Sequence, residues 1–167
     1  MENKSLLALA ATATCLLLSK RTPTTDDSLY HTRLSDHSTV TIEVLGPDGD
    51  RILMPTTVAI SSDATVLSAS IESFEQNQIP YQTGSSGTDK YITSINGIDQ
   101  QSAGPLSGWL YKVNDIFIDA GPSTYSLNSG DRVTWIFTKD LGKDVGAPPV
   151  LFERLYYKTS FNNFHFN

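Results

Sequence analysis

The chain has 167 residues and a mass of 18.3 kDa, with 39% hydrophobic and 18% charged residues. That balance excludes a disordered polyelectrolyte and a polytopic membrane protein, and leaves room for one domain with short tails. Eighteen acidic against twelve basic residues give a net charge of −6, and no basic run exceeds Lys20-Arg21, so the surface repels a phosphate backbone and no nucleic-acid partner is expected.

Residues 1–21 begin with Lys4 ahead of a low-polarity run over 5–19 and close on Lys20-Arg21. That run is shorter than the roughly 20 residues of a membrane span, but it suits the apolar region of a signal peptide. Ala13-Thr14-Cys15 is a degraded match to a lipoprotein cleavage box. We read 1–21 as a signal peptide or membrane anchor, with a buried helix of the fold as the competing reading. Export places the protein outside the cell, secreted or anchored to the outer face of the membrane. Residues 22–38, rich in Thr, Ser and Asp and without periodicity, read as a linker.

Ordered structure is expected over residues 39–146. Val40, Ile42 and Val44 alternate with polar residues as in a half-buried strand, and Gly46-Pro47-Asp48-Gly49 is a turn. A second strand over 51–60 is interrupted at Pro55. Ser62 or Asp63 then caps a helix whose stripe is Val66, Leu67, Ile71 and Phe74, stopped by 77–80. Residues 81–83 form a short strand, followed by a flexible stretch at 84–87. Strands over 91–95 and 98–101 flank Asn96-Gly97, a strong hairpin signal. Strands over 109–113 and 116–118 flank Asn114-Asp115, and the last strand alternates at Val133, Trp135 and Phe137. One helix must therefore cover a mixed sheet, an α+β fold of the β-grasp kind. Residues 147–167 form a tail with Phe152, Tyr156, Tyr157, Phe161, Phe164 and Phe166.

Catalysis needs a nucleophile beside a base, paired carboxylates or a metal cluster. All three histidines, His31, His37 and His165, fall outside the expected core, and the single cysteine, Cys15, allows neither a disulfide framework nor a cysteine metal site. Gly84-Ser-Ser-Gly87 lacks the lysine and the strand–helix context of a phosphate loop. Asp99, Asp115, Asp119 and Asp131 sit mostly at turns, where aspartate bonds its own backbone. No enzyme and no metal site is expected.

The order Tyr91-Ile-Thr-Ser-Ile-Asn-Gly97, Ser107-Gly-Trp-Leu-Tyr-Lys-Val-Asn114, Tyr125-Ser-Leu-Asn-Ser-Gly-Asp131 and Val133-Thr-Trp-Ile-Phe-Thr138 resembles the transcobalamin-like C-terminal domain family. The likeness covers about residues 39–142. It implies the small β-rich domain that closes over cobalamin in intrinsic factor and transcobalamin. Cobalamin is then the candidate small-molecule ligand, bound without a covalent cofactor. In those carriers a helical barrel domain forms the other half of the site. This sequence is too short to hold that barrel, so the resemblance implies a separate protein partner.

Trp109 and Tyr111 are the candidate ligand platform, since an aromatic pair at a sheet edge either fills a core or stacks on a flat ligand. Gly108 would let a ligand approach closely, and Ser107 and Leu106 end the loop that would line the site. The expected function is an exported or membrane-tethered, non-enzymatic binding module. The alternative is a cell-surface structural or adhesion module that contacts protein or glycan.

Overall fold

The alternation at Val40, Ile42 and Val44 produces strand β1, Thr39–Leu45, with those three side chains buried on one face. These coordinates come from a computed structural model that describes residues 38–149 and Leu151. The N-terminal signal or anchor, nearly all of the linker, Cys15, the three histidines and the six tail aromatics lie outside the described residues. All described residues fall in one unit of the chain, Asp36–Asn167.

A tight turn with Asp48 and Gly49 at φ of 63° and 83° leads into β2, Arg51–Ala59, antiparallel to β1. The pairing steps from Ile42↔Thr56 to Val44↔Leu53, which leaves one extra residue on β2 beside Pro55. A proline has no N–H to give a ladder, and a bulge on an edge strand is where its absence costs least.

Helix α1, Val66–Gln76, is capped by Thr65 and not by Ser62 or Asp63. Thr65 Oγ1 accepts from the Ser68 N–H at 3.2 Å, and Ser68 Oγ accepts from the Thr65 N–H at 2.9 Å. This reciprocal box satisfies two donors that the first turn leaves open. The buried face is Val66, Leu67, Ala69, Ser70, Ser73 and Phe74, while Ile71 is only half-buried. Two serines thus sit where a hydrophobic stripe was expected. Ser70 Oγ donates to Val66 O at 2.6 Å and accepts from Trp135 Nε1 at 2.8 Å. Ser73 Oγ is fully buried and makes no hydrogen bond. Removing a buried hydroxyl without a partner relieves a desolvation cost. Ser73→Ala is expected to leave stability unchanged or raise it by up to about 1 kcal/mol, read as a higher urea midpoint at constant slope.

Residues 84–87 are part of a hairpin: strand β3, Tyr81–Ser86, holds the first three, and Gly87 begins the turn into β4, Asp89–Ile95. Gly84 lies opposite Tyr91, and a Cβ there would sit 2.8 Å from the tip of that ring. The glycine serves side-chain packing here, not flexibility. Asn96 and Gly97, both at positive φ, turn the chain into β5, Ile98–Asp99. Strand β6, Gly108–Val113, then turns through Asn114 and Asp115 into β7, Ile116–Phe117. The chain returns through the centre as β8, Arg132–Thr138.

The strands divide between two sheets rather than one: a five-stranded sheet in the order β2-β1-β8-β6-β7, and a three-stranded sheet β3-β4-β5. β1 and β8 are parallel neighbours, and the other pairs are antiparallel. The architecture is mixed α+β. One face of the large sheet, with Val40, Ile42, Val44, Tyr111, Val113, Val133 and Trp135, packs with Val66, Leu67, Ala69 and Phe74 of α1 to form the core.

Beyond β8 the chain is pinned by Asp144. Its carboxylate accepts from Thr138 Oγ1 and, at 2.7 Å, from the Lys139 N–H. The Thr138 hydroxyl oxygen accepts in turn from the Gly142 N–H at 2.6 Å. Burial pushes the Asp144 carboxyl up, but these hydrogen bonds outweigh it and hold the group below its ordinary value of 3.8. A depressed folded-state value contributes stability that is fully present above the unfolded value and is lost as pH falls through the folded one. The stability advantage of the native chain over Asp144→Asn is therefore expected to be constant at neutral pH and to shrink below pH 3.8, as read by denaturant titration across that range.

Candidate functional site

The segment from 99 to 111 joins the two sheets and holds every residue that the sequence nominates. The loop before β6 is closed by its own polar groups. Ser107 is buried; its Oγ donates to Gly104 O at 2.8 Å and accepts from the Ala103 N–H at 3.0 Å. Ser107 O accepts from the Gln101 N–H at 2.8 Å, and Leu106 O accepts from the Leu141 N–H at 2.9 Å. Ser107 therefore shapes the loop, while Leu106 is half-buried at its end.

Trp109 is half-buried and held from two sides. Its Nε1 donates to Ile98 O at 2.9 Å, across to the small sheet, and its ring meets Phe137 edge-on at 5.2 Å. The indole is thus fixed at the corner between β5 and β6. Gly108 pairs with Thr138 at the start of β6. A Cβ at Gly108 would meet nothing nearer than Gln100 Cβ at 3.9 Å, and its φ is not in the left-handed region. No part of the described chain requires glycine at that position.

Of the two readings open for the aromatic pair, Tyr111 takes the core position and is not an open platform. Its side chain is 5% exposed, its hydroxyl donates to Ala120 O at 2.8 Å, and its ring packs 5.4 Å from Trp135 and 6.5 Å from Tyr125. Burial, with smaller effects from Tyr125 and Asp119, pushes the phenol well above its ordinary value and keeps it a neutral donor. Alternation on β6 puts Trp109 and Tyr111 on one face, but only Trp109 reaches the open end of that face. The small sheet's part in holding the indole, through Ile98, carries no local signal in the sequence.

The other motif residues are structural. Asn114 Nδ2 donates to Asp131 Oδ1 at 2.8 Å, and Asn114 Oδ1 accepts from the Arg132 N–H at 2.9 Å. Asp131 Oδ2 accepts from the Asn128 N–H at 2.8 Å. The asparagine that ends one motif thus clips the aspartate that ends the next. Val66 and Leu67 N–H donate to Tyr125 O and Pro122 O at 3.0 and 2.7 Å, so the loop before β8 fills the start of α1. That helix end has no donors left for an anion.

Residues 38–149 and Leu151 contain neither histidine nor cysteine. Among the described residues no three acidic side chains gather where they could hold a metal ion, and no helix is long and apolar enough to cross a membrane.

Residues 63–139 match the model of a family described as a domain of unknown function, DUF4430. Among solved structures the chain is similar to haptocorrin, determined in complex with Cbi, at a TM-score of 0.53 and 17% identity over 63% of this chain. The fold is transcobalamin-like. The chain spans 26% of the haptocorrin chain, so the likeness concerns one part of that protein. A protein from Ruminococcus gnavus, described as a candidate metal-binding protein, is similar at a TM-score of 0.43 and 15% identity over 60% of this chain and 96% of its own. No curated protein matches the chain. Within this fold the Trp109 indole forms a rigid corner, held by Ile98 O and Phe137.

Proposed function

We propose that this transcobalamin-like domain is a non-enzymatic binding module whose contact surface is the corner formed by Leu106, Gly108 and the exposed part of Trp109. The carrying observation is the indole fixed by Ile98 O and Phe137 beside a glycine that no described residue demands. An immobilised aromatic surface next to open space favours a flat ligand, because the ordering entropy is already spent before binding. Cobalamin, or a related flat ligand, is the candidate. Haptocorrin was solved with Cbi bound, and a separate protein would provide the second wall here. Residues 1–21 would carry or tether the domain outside the cell, with 22–38 as its linker. The order of hairpin, helix and returning central strand supports a β-grasp reading of the fold.

The burial of Tyr111 favours a second reading, a cell-surface structural or adhesion module that contacts protein or glycan, because it leaves a smaller aromatic surface. Titrating the full chain with hydroxocobalamin and cyanocobalamin, followed by tryptophan fluorescence and calorimetry, separates the two. Saturable binding is expected. Gly108→Ala should weaken it about tenfold or more while shifting stability by no more than about 0.5 kcal/mol, since a Cβ there makes only an ordinary contact with Gln100 Cβ at 3.9 Å. Absence of binding at millimolar ligand would remove cobalamin capture by this chain alone.

A further inference from the structure

Helix α1 packs on one face of the large sheet, and the residues on the other face are not those of a solvent face. Leu45 and Leu110 flank Ile136 across β1, β8 and β6, and alternation turns all three away from the core. All three are half-buried. In the adjoining row Glu43 pairs with Thr134 and Thr134 with Lys112. Glu43 and Thr134 are buried at 6% and 7% exposure, and Lys112 Nζ lies 4.4 Å from the centre of the Phe117 ring. A carboxylate withdrawn from water, with one ion pair to Arg51 at 3.4 Å, is costly on a face open to solvent.

We propose that this face seats the chain's own C-terminal segment, residues 152–167. The chain does not depart after β8. The Asp144 clip and the left-handed backbone of Gly142 and Gly146 turn it, the Ala147 N–H returns to Gly142 O at 2.9 Å, and Ala147 and Leu151 are both buried. It is therefore delivered against the domain from the Thr138 end of β8, two residues from Ile136. The sixteen residues that follow hold six aromatics and neither glycine nor proline. Four inter-strand spacings across the sheet come to about 19 Å, a span within reach of sixteen residues. The charges also complement. Residues 38–151 carry thirteen acidic and six basic side chains, and residues 152–167 carry Arg154 and Lys158 against Glu153. A patch of this kind left open would invite association with other chains.

The test is thiol protection. In the full chain with Cys15→Ser, Leu110→Cys places a thiol on the face, and Ile116→Cys, at a position 67% exposed, is the reference. Labelling at position 110 is expected to be at least tenfold slower in the full chain than in the chain ended after Leu151, with position 116 unchanged. A full-length variant with Phe152→Ser, Tyr156→Ser, Tyr157→Ser and Phe161→Ser should label as fast as the shortened one, which keeps the test valid if shortening unfolds the protein. Equal rates at position 110 in the full-length native-tail and substituted chains would overturn the proposal. So would protection that grows with protein concentration alongside a dimer mass, because a second copy would then be the occupant.

Discussion

Trp135→Ala is expected to cost between about 3 and 5 kcal/mol, the range for emptying an aromatic site in a packed core. For a domain whose whole stability is about 5–15 kcal/mol, that loss leaves little or nothing folded. Trp135 is 2% exposed at the centre of the middle strand β8, with Tyr111 against one side of its ring and Ser70 Oγ on its indole nitrogen. It joins the helix, β8 and β6 through one side chain. Trp135→Phe keeps most of the volume and drops the N–H. Ser70 Oγ retains its bond to Val66 O, so the expected cost falls to about 1–2 kcal/mol. Urea unfolding of both variants decides the matter, and a cost below 1 kcal/mol for the alanine would mean that the core closes without this residue.

Trp109→Ala is expected to have the next largest effect, and a different kind of effect. The edge-on pair with Phe137 is worth about 0.5–1.5 kcal/mol and the bond to Ile98 O about 1 kcal/mol, with a half-buried ring adding to both. The sum, about 2–4 kcal/mol, falls at the junction of the two sheets. Amide exchange should therefore accelerate first in β4 and β5, including the Gln100 N–H that donates to Thr93 O at 2.8 Å, before β1 and β8 respond. Uniform acceleration across both sheets would place Trp109 in the general core instead. Trp109→Phe should keep the contact with Phe137 and lose only the cross-sheet bond. On the proposed function the alanine variant loses ligand capture at least tenfold, and the phenylalanine variant keeps part of it. That split separates a stacking surface from a bracket.

Much of the scaffold was legible locally. Asn96-Gly97 and Asn114-Asp115 announce two-residue turns because few side chains accept positive φ, and all four positions adopt it. Val133, Trp135 and Phe137 announce a buried strand by alternation, and all three are buried. The helix cap lies two or three residues beyond the expected Asp63 or Ser62, because Ser62, Asp63 and Thr65 all offer a capping oxygen. The reciprocal bond from Ser68 and the 2.9 Å bond from the Leu127 N–H to Ala64 O select the last of them. At Gly84 the local pattern is that of a loop, because a glycine under a neighbouring tyrosine ring carries no mark of it in one dimension.

Of the candidate site, the sequence marks the stretch from Leu106 to Tyr111 but not which of its aromatics remains accessible. Alternation assigns Trp109 and Tyr111 to one face. Depth along that face depends on Tyr125, Trp135 and Ala120, all distant in sequence. The sequence by itself determined most of the elements, the turns at 96–97 and 114–115 and the absence of histidine and cysteine from residues 39–146, because these follow from backbone preference, period and composition over a few residues. Only the tertiary structure decided the division into two sheets, the burial of Tyr111, the indole held by Ile98 and the second, half-covered face. Those depend on contacts between residues far apart along the chain, whose free energy no local pattern records.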